Sequence, residues 1–169
     1  MASSVRSRAA ATAADAVLVL EDFLPYRLTI LANMLSQGFA RLYSDRFGIS
    51  IPQWRVIAML GQHGTLTARE IGERNHMHKT MVSRAVTELE QHGLLSRVAN
   101  QADKRAVFLS LTDMGRRIYT DIVPLARDIA DRLTADLSAA DRAAFDRIVA
   151  QLQARSGVVF AAGRKSGPG

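Results

Sequence analysis

The chain has 169 residues, a length typical of one domain, and its 48% hydrophobic content is enough for a sizeable core. Its 22 Lys and Arg residues outnumber the 16 Asp and Glu residues, and the resulting net charge of +6 favours a polyanionic partner. Because the sequence contains no cysteine, disulfides, zinc fingers, thiolate nucleophiles and thiol-based redox sensing are excluded.

Both ends of the chain are predicted to be flexible tails. Residues 1–14 and 157–169 are rich in Ala, Ser and Gly and show no sustained hydrophobic period. Residues 1–14 lack the apolar run of a signal peptide, and charged residues interrupt the apolar stretch that follows. We therefore expect a cytoplasmic protein, without a membrane partner, whose structured region spans residues 15–156.

A long amphipathic helix is predicted over residues 15–47, where apolar residues recur at steps of three and four. Pro25 should kink or restart this helix, and Gly48 should end it. A second apolar stripe broadens the hydrophobic face beyond what one small domain needs; it comprises Phe23, Ile30 and Met34. This width predicts that the helix also contacts another subunit.

Two short helices joined by a tight turn follow a helix that extends from Ser50 to Gly64. Thr67 and Glu70 have the spacing of a capping box, which marks the start of the first short helix. After a turn at residues 75–77, residues 78–91 resume helical spacing. The apolar residues on one side of this second helix are Met81, Val82, Ala85, Val86 and Leu89. The order predicts a helix-turn-helix.

A β-hairpin and two further helices complete the predicted architecture. Strands are expected at residues 94–98 and 105–111, joined by a polar turn that forms a wing. Thr112 should cap a long helix, and Ser138 a final one. The expected fold class is therefore mainly α with a small β-hairpin: a winged helix-turn-helix. Its DNA-binding part would span about 50–112, with dimerisation helices at about 15–47 and 112–156.

The outward face of the second short helix has the composition of a DNA-reading surface. One face of such a helix packs on the protein while the other enters the major groove. The outward residues are Lys79, Thr80, Ser83, Arg84 and Thr87. The guanidinium of Arg84 can address guanine O6 and N7 together, whereas the residues nearest the helix N-terminus suit phosphate.

The tip of the predicted wing adds a second candidate contact with double-stranded DNA. Lys104 and Arg105 can enter the minor groove while Asp103 orients the arginine. Each of these features alone is more often structural. Their order along the chain is what favours DNA binding: a capped helix, a tight turn, a helix of hydroxyls and cations, and then a basic hairpin.

The segment Asp103-Lys104-Arg105, followed by Leu111-Thr112 and Gly115, resembles the D-x-R-x5-L-T-x2-G signature of the MarR family of bacterial regulators. The resemblance extends over residues 15–155. It implies a homodimer whose first and last helices interlock. This homodimer would bind a pseudo-palindromic operator. The resemblance also implies repression that is relieved by a small molecule, often an aromatic acid or phenol. Recognition roles would then fall to Thr80, Ser83 and Arg84 and to the wing pair Asp103 and Arg105.

Pockets in this family lie between the dimerisation helices and the DNA-binding part, which makes Arg27 a candidate ligand residue. Arg27 falls in line with the apolar stripe of the first helix, where a cation needs an anionic partner. The full candidate ligand set is Tyr26, Arg27, Trp54, Arg55 and His63, and it fits an anionic aromatic effector. Alternatively, Arg27 pairs with an acid such as Asp22 or with one across the dimer.

Two functions other than that of an effector-controlled repressor also fit the sequence. A constitutive or architectural DNA-binding protein without an effector remains open, as does a winged-helix module that binds another protein. No HExxH, GxSxG or Walker A motif is present, so neither an enzyme nor a cofactor is expected. The four histidines do not have the spacing of a metal site.

Overall fold

A computed structural model describes residues 17–99 and 107–163. These residues form six α-helices and one small antiparallel sheet, which confirms the predicted fold class. In chain order the elements are α1 (Leu24–Phe47), α2 (Ile51–His63), β1 (Leu66–Thr67), α3 (Ala68–Asn75), α4 (Lys79–Gln91), β2 (Leu95–Ala99), β3 (Val107–Leu111), α5 (Asp113–Leu133) and α6 (Ala139–Gly163).

The first helix begins later than residue 15. A short 3-10 turn at Leu20–Asp22 comes first, and Phe23, in an extended conformation, is the N-cap of α1. Pro25 lies in the first turn of α1, where its missing N–H would have no helical partner in any case. Pro25 therefore restarts the helix rather than kinking it. The helix ends at Gly48, which takes the left-handed conformation with φ 65°.

The starts of α2 and α3 are fixed by reciprocal capping boxes. The Ser50 N–H donates to Gln53 Oε1 over 2.7 Å, and the Thr67 N–H donates to Glu70 Oε2 over 2.7 Å. In each case the N-cap hydroxyl accepts a hydrogen bond from the backbone N–H of the acidic or amide residue. Bonds from the backbone and hydroxyl of Thr67 lower the pKa of Glu70, so this cap favours the carboxylate.

The sheet has the strand order β1-β3-β2, with every pair antiparallel. Leu95 pairs with Leu111, and Leu66 pairs with Leu109 on the other edge of β3. The hairpin was predicted, but β1 was not, because two residues are too short to show an alternating pattern. This extra strand ties the start of α3 to the base of the hairpin.

The hydrophobic core lies between the second half of α1, helices α2 to α4, the sheet and the first half of α5. Its largest fully buried side chains are Tyr43, Ile57, Leu60, Ile71, Leu89, Ile122, Val56 and Val82. Of the residues that the structure describes in α6, none belongs to this core. No described helix is long and apolar enough to cross a membrane.

The final helix is longer than the sequence indicated. Ser138 caps it as expected, accepting a hydrogen bond from the Asp141 N–H over 3.1 Å. However, α6 continues to Gly163, so residues 157–163 extend the helix instead of beginning the predicted tail.

Candidate nucleic-acid interface

Helix α4 has one buried face and one exposed face. Val82, Ala85 and Leu89 are buried where α4 packs against α2, α3 and β2. All five residues predicted to face DNA are exposed, namely Lys79, Thr80, Ser83, Arg84 and Thr87. Met81 was expected on the packed side but is 46% exposed, because it lies at the edge of the buried stripe. The structure thus presents the predicted face as one continuous surface.

A tight turn sets the position of α4 against α3. His76 ends α3 in the left-handed conformation with φ 51°, and the buried Met77 follows it. The Met77 N–H donates to the Gly72 carbonyl over 2.9 Å. A Cβ on Gly72 would lie 3.2 Å from the Met77 carbonyl oxygen, so glycine permits this close approach. The two helices form the predicted helix-turn-helix.

The side chain of Arg84 is exposed but is held at one end. Its Nε donates to Glu88 Oε1 over 2.8 Å, one helical turn further along α4. This hydrogen bond, together with the charge of Glu88, raises the pKa of Arg84. The other oxygen of Glu88 accepts a hydrogen bond from Gln53 Nε2 over 2.8 Å. A base-reading candidate on α4 is therefore connected to α2.

Sequence reasoning missed Gln53 and Glu88 as parts of this surface. The four-residue spacing of Arg84 and Glu88 is a signal for a helical ion pair and was available in the sequence. The contact between Gln53 and Glu88 joins residues 35 positions apart, so no local pattern could indicate it.

A groove of about 680 Å³ lies beside α4, between α3 and the sheet. Its apolar residues include Val82, Val86 and Leu109, and its cations are Arg69, Lys79 and Arg97. Arg97 lines this groove but was not among the residues predicted to contact DNA. It donates from Nε and Nη2 to the two oxygens of Glu90 over 2.6 and 2.9 Å. These bonds lower the pKa of Glu90 and raise that of Arg97.

The predicted wing residues Asp103, Lys104 and Arg105 lie outside the described residues. The strands on either side of them are described, and the described pair nearest to them is that of Ala99 and Val107. The role of the wing residues in DNA binding stays a prediction.

The predicted ligand residues fall into separate groups within one chain. Trp54 packs in an aromatic cluster with Phe39, Tyr43 and Tyr119, with its ring centroid 5.8 Å from that of Phe39. Tyr26 and Arg27 are exposed near the start of α1. Since a helix rises 1.5 Å per residue, Arg27 lies about 18 Å along α1 from Phe39.

The remaining predicted ligand residues, Arg55 and His63, are exposed on α2. Among the residues that the structure describes, no acid lies within salt-bridge distance of Arg27. Pairing with Asp22 in the same chain is thus not observed.

Tyr43, in the aromatic cluster, should titrate differently from an exposed tyrosine. It is 1% exposed, and burial raises its pKa to about 12, against a smaller opposing effect of the Arg55 charge. Because the folded protein holds the phenolic proton more tightly, folding stability should fall as the pH rises from 10.0 towards 12. Tyrosinate absorbance should show one late transition that Tyr43→Phe removes. If all tyrosines of the folded protein titrated together with a midpoint near pH 10.0, this assignment would be contradicted.

The helix-turn-helix, with a hairpin beside its second helix, defines a winged helix-turn-helix protein. A family model described as "MarR family" matches residues 47–106. Over 129 residues the chain is 31% identical to the transcriptional regulator TcaR of Staphylococcus aureus, covering 75% of this chain and 82% of that protein. The chain therefore belongs to the MarR family, whose members are DNA-binding transcriptional regulators and not enzymes. The resemblance found in the sequence is confirmed.

Two further comparisons agree with this assignment. The organic hydroperoxide resistance transcriptional regulator of Bacillus subtilis is 32% identical over 96 residues. That match covers 57% of this chain and 65% of the relative, which is less than two thirds of its length. The crystal structure of a MarR/EmrR family regulator from Acinetobacter sp. ADP1 has a TM-score of 0.76 and 23% identity. It covers 83% of this chain and 99% of the solved chain, and it shows likeness of fold.

Proposed function

We propose that this protein represses transcription by binding a pseudo-palindromic operator as a homodimer. The observation that carries the proposal is the exposed face of α4. It presents hydroxyls and cations while its opposite face is fixed in the core. An α-helix fits the major groove, and a rigidly packed helix keeps its side chains in register with the base edges. The net charge of +6 adds attraction to the phosphate backbone.

The terminal helices support the homodimer part of the proposal. Large hydrophobic side chains are exposed along the first half of α1 and on α6, including Met34 at 66% and Phe145 at 57%. The other large apolar residues exposed on these two helices include Leu24, Leu28, Leu31, Leu35, Ile148 and Val158. Monomeric proteins rarely expose so many large apolar side chains on their helices. Interlocked terminal helices would bury it and place two α4 helices about one turn of DNA apart, roughly 34 Å.

An anionic aromatic effector is the proposed release signal. Arg27 offers a guanidinium on the same helix as the apolar surface, and the dimer would bring it near a second copy of the chain. Isothermal titration with a panel of aromatic acids, both free and as CoA thioesters, tests this part. Heat of binding that is lost in Arg27→Ala would support it, whereas no heat with any acid would contradict it.

Selection from a pool of randomised duplexes tests the DNA-binding function. The protein should enrich a two-fold symmetric sequence, and its affinity should fall steeply as salt is raised. Enrichment without any response to effectors would favour a constitutive DNA-binding protein. Absence of salt-dependent binding would favour a winged-helix module that binds another protein.

Replacing Arg84 tests the base contact directly. Arg84→Ala should weaken binding to the selected duplex by about 1–3 kcal/mol and relax the preference at one base pair per half-site. Arg132→Ala is a matched control that should leave the preference unchanged. Arg132 also forms an ion pair with an acid one turn away on its own helix, Asp128 on α5, and it does not line the groove beside α4. An unchanged preference in Arg84→Ala would show that another residue reads the base.

The wing has its own test. Arg105→Ala should weaken binding to many sequences alike and reduce the slope of the salt dependence by about one for each site contacted. Equal salt slopes for this variant and the parent would contradict the proposed role of Arg105.

A further inference from the structure

We propose that Gln53 and Glu88 are positioning residues that set the sequence preference of Arg84 without touching DNA themselves. This inference rests on the proposed DNA-binding function. It concerns a chain of three hydrogen bonds that links the start of α2 to the exposed face of α4.

The orientation of the Gln53 amide is fixed by its partners. The Ser50 backbone N–H can only donate, so the oxygen of the Gln53 side chain must face it, at 2.7 Å. The amide nitrogen must then face Glu88, which accepts over 2.8 Å. Gln53 is only 5% exposed and is the one buried polar side chain among the described residues. Because water has little access, a rotation of the amide by 180° would break both hydrogen bonds without replacing them by bonds to water.

Glu88 connects the fixed amide of Gln53 to the side chain of Arg84. One carboxylate oxygen is held by Gln53, and the other accepts from Arg84 Nε over 2.8 Å. Within the described part of the chain, neither Nη1 nor Nη2 of Arg84 has a hydrogen bond. Those two groups form the end of the guanidinium that matches guanine O6 and N7.

Restraining Nε of Arg84 before DNA binds favours a contact with one base over contacts with any phosphate. An unrestrained arginine on a surface samples many rotamers, and it loses that freedom when it docks on a base edge. The bond from Glu88 removes part of the freedom before DNA arrives. Glu88 in turn cannot follow Arg84 towards a phosphate without leaving Gln53. The buried amide of Gln53 therefore favours one orientation of the Arg84 side chain. This orientation should affect discrimination between DNA sequences more than overall affinity.

A purely structural role of Gln53 predicts a different result. If Gln53 only tied α2 to α4, its loss would weaken binding to every duplex equally. The pair of Glu90 and Arg97 supplies a matched control on the same helix, because Glu90 also accepts hydrogen bonds from an arginine. No buried amide among the described residues anchors Glu90, and its partner lies on β2.

The experiment measures discrimination between two duplexes. The first is the sequence that the parent protein selects from a randomised pool. The second carries the single base-pair change that the parent rejects and Arg84→Ala accepts. Gln53→Met and Glu88→Gln should each lower the ratio of the two affinities by about fivefold. A change of this size lies within the usual range of interaction energies between side chains that contact one another. Glu90→Gln should leave the ratio unchanged.

Two variants are needed because each has a different side effect on the structure. Gln53→Met also removes half of the capping box at Ser50, so it can weaken α2. Glu88→Gln leaves that cap intact but replaces one accepting oxygen with an NH2 group. A glutamine in the orientation of Glu88 keeps only one of the two bonds, because its NH2 group faces the donor of the other. Agreement between the two variants separates orientation of Arg84 from loss of stability.

A double-mutant cycle decides between the two roles. In an Arg84→Ala background, neither Gln53→Met nor Glu88→Gln should change the affinity ratio further. Additive losses would overturn the inference, as would an unchanged ratio in both single variants. In DNA-free protein, the Arg84 Nε–H resonance should be protected from exchange in the parent and should lose that protection in both variants. Equal protection in all three proteins would likewise overturn it.

The controls also distinguish failure of this inference from failure of the proposed function. If the pool yields no selected sequence and binding is independent of salt, the DNA-binding function fails and the positioning role with it. If Arg84→Ala alters the selected sequence while the Gln53 and Glu88 variants keep it, only the positioning role is overturned.

Discussion

Replacing both Phe145 and Ile148 with aspartate should convert the proposed homodimer into a monomer and reduce affinity for the proposed operator by about 100-fold or more. These side chains are 57% and 50% exposed on α6 in a single chain. Two charges in place of two large apolar groups would have to be buried in the proposed interface, which is strongly unfavourable. The separated subunits would then lose the gain of about 10²–10⁴ that comes from binding two linked half-sites.

The double variant should leave the winged domain folded, because no described residue of α6 belongs to the core. Arg147→Asp is a matched control: it changes the charge of α6 by the same amount as the double variant but removes no apolar group. Sedimentation equilibrium and operator titration measure the two effects. A double variant that remains a dimer would show that this face of α6 is not the interface.

The element boundaries that the sequence predicted well are those set by local chemistry. Thr67, Thr112 and Ser138 were identified as N-caps and Ser50 as the start of a helix. In the structure each of the four accepts a hydrogen bond from a backbone N–H in the first helical turn. Such bonds involve residues three positions apart, so a short pattern contains all the necessary information. The buried stripe of α4 was equally local, apart from Met81 at its edge.

The features that the sequence did not predict depend on contacts between distant segments. Strand β1 exists only because Leu66 finds a partner on β3, at Leu109. The link between Gln53 and Glu88 likewise needs α2 and α4 to be packed together. The start of α1 at Leu24 shows a third limit, since the periodic apolar residues Val17 and Leu20 are exposed and lie outside α1.

The sequence predicted the exposed residues of α4 better than it predicted the ligand site. The exposed residues of α4 follow from helical periodicity, and the structure places all five on one surface. The ligand residues combine positions from α1 and α2 that one chain keeps apart. Residues that meet only across two subunits leave no periodic trace in one sequence, so their assembly remains a proposal.

Gly115→Ala should destabilise the fold by about 3 kcal/mol or more, at or above the upper end of what overpacking usually costs. A Cβ at this position would overlap the Leu94 carbonyl oxygen and also press on Leu111. The overlap is with backbone, which cannot rotate away as a side chain can. We therefore expect the start of α5 to separate from the end of α4.

Hydrogen bonds leave this junction little room to adjust. Thr112 Oγ1 donates to the Gly93 carbonyl over 2.7 Å, and the Thr112 N–H donates to the Leu94 carbonyl over 3.2 Å. The Gly115 N–H donates to Thr112 Oγ1 over 3.2 Å. Moving α5 outward to accommodate a methyl group would stretch the two bonds that Thr112 donates. These contacts give a physical reason for the threonine and the glycine in the L-T-x2-G part of the signature.

Urea unfolding measures the effect, with Gly38→Ala as the control. A Cβ on Gly38 meets nothing within 4 Å, so alanine there should stabilise α1 by up to about 1 kcal/mol through helix propensity. The two substitutions add the same methyl group within a helix and should move the unfolding midpoint in opposite directions. If Gly115→Ala unfolds at the midpoint of the parent protein, α5 can shift freely, and the junction does not fix its position against the hairpin.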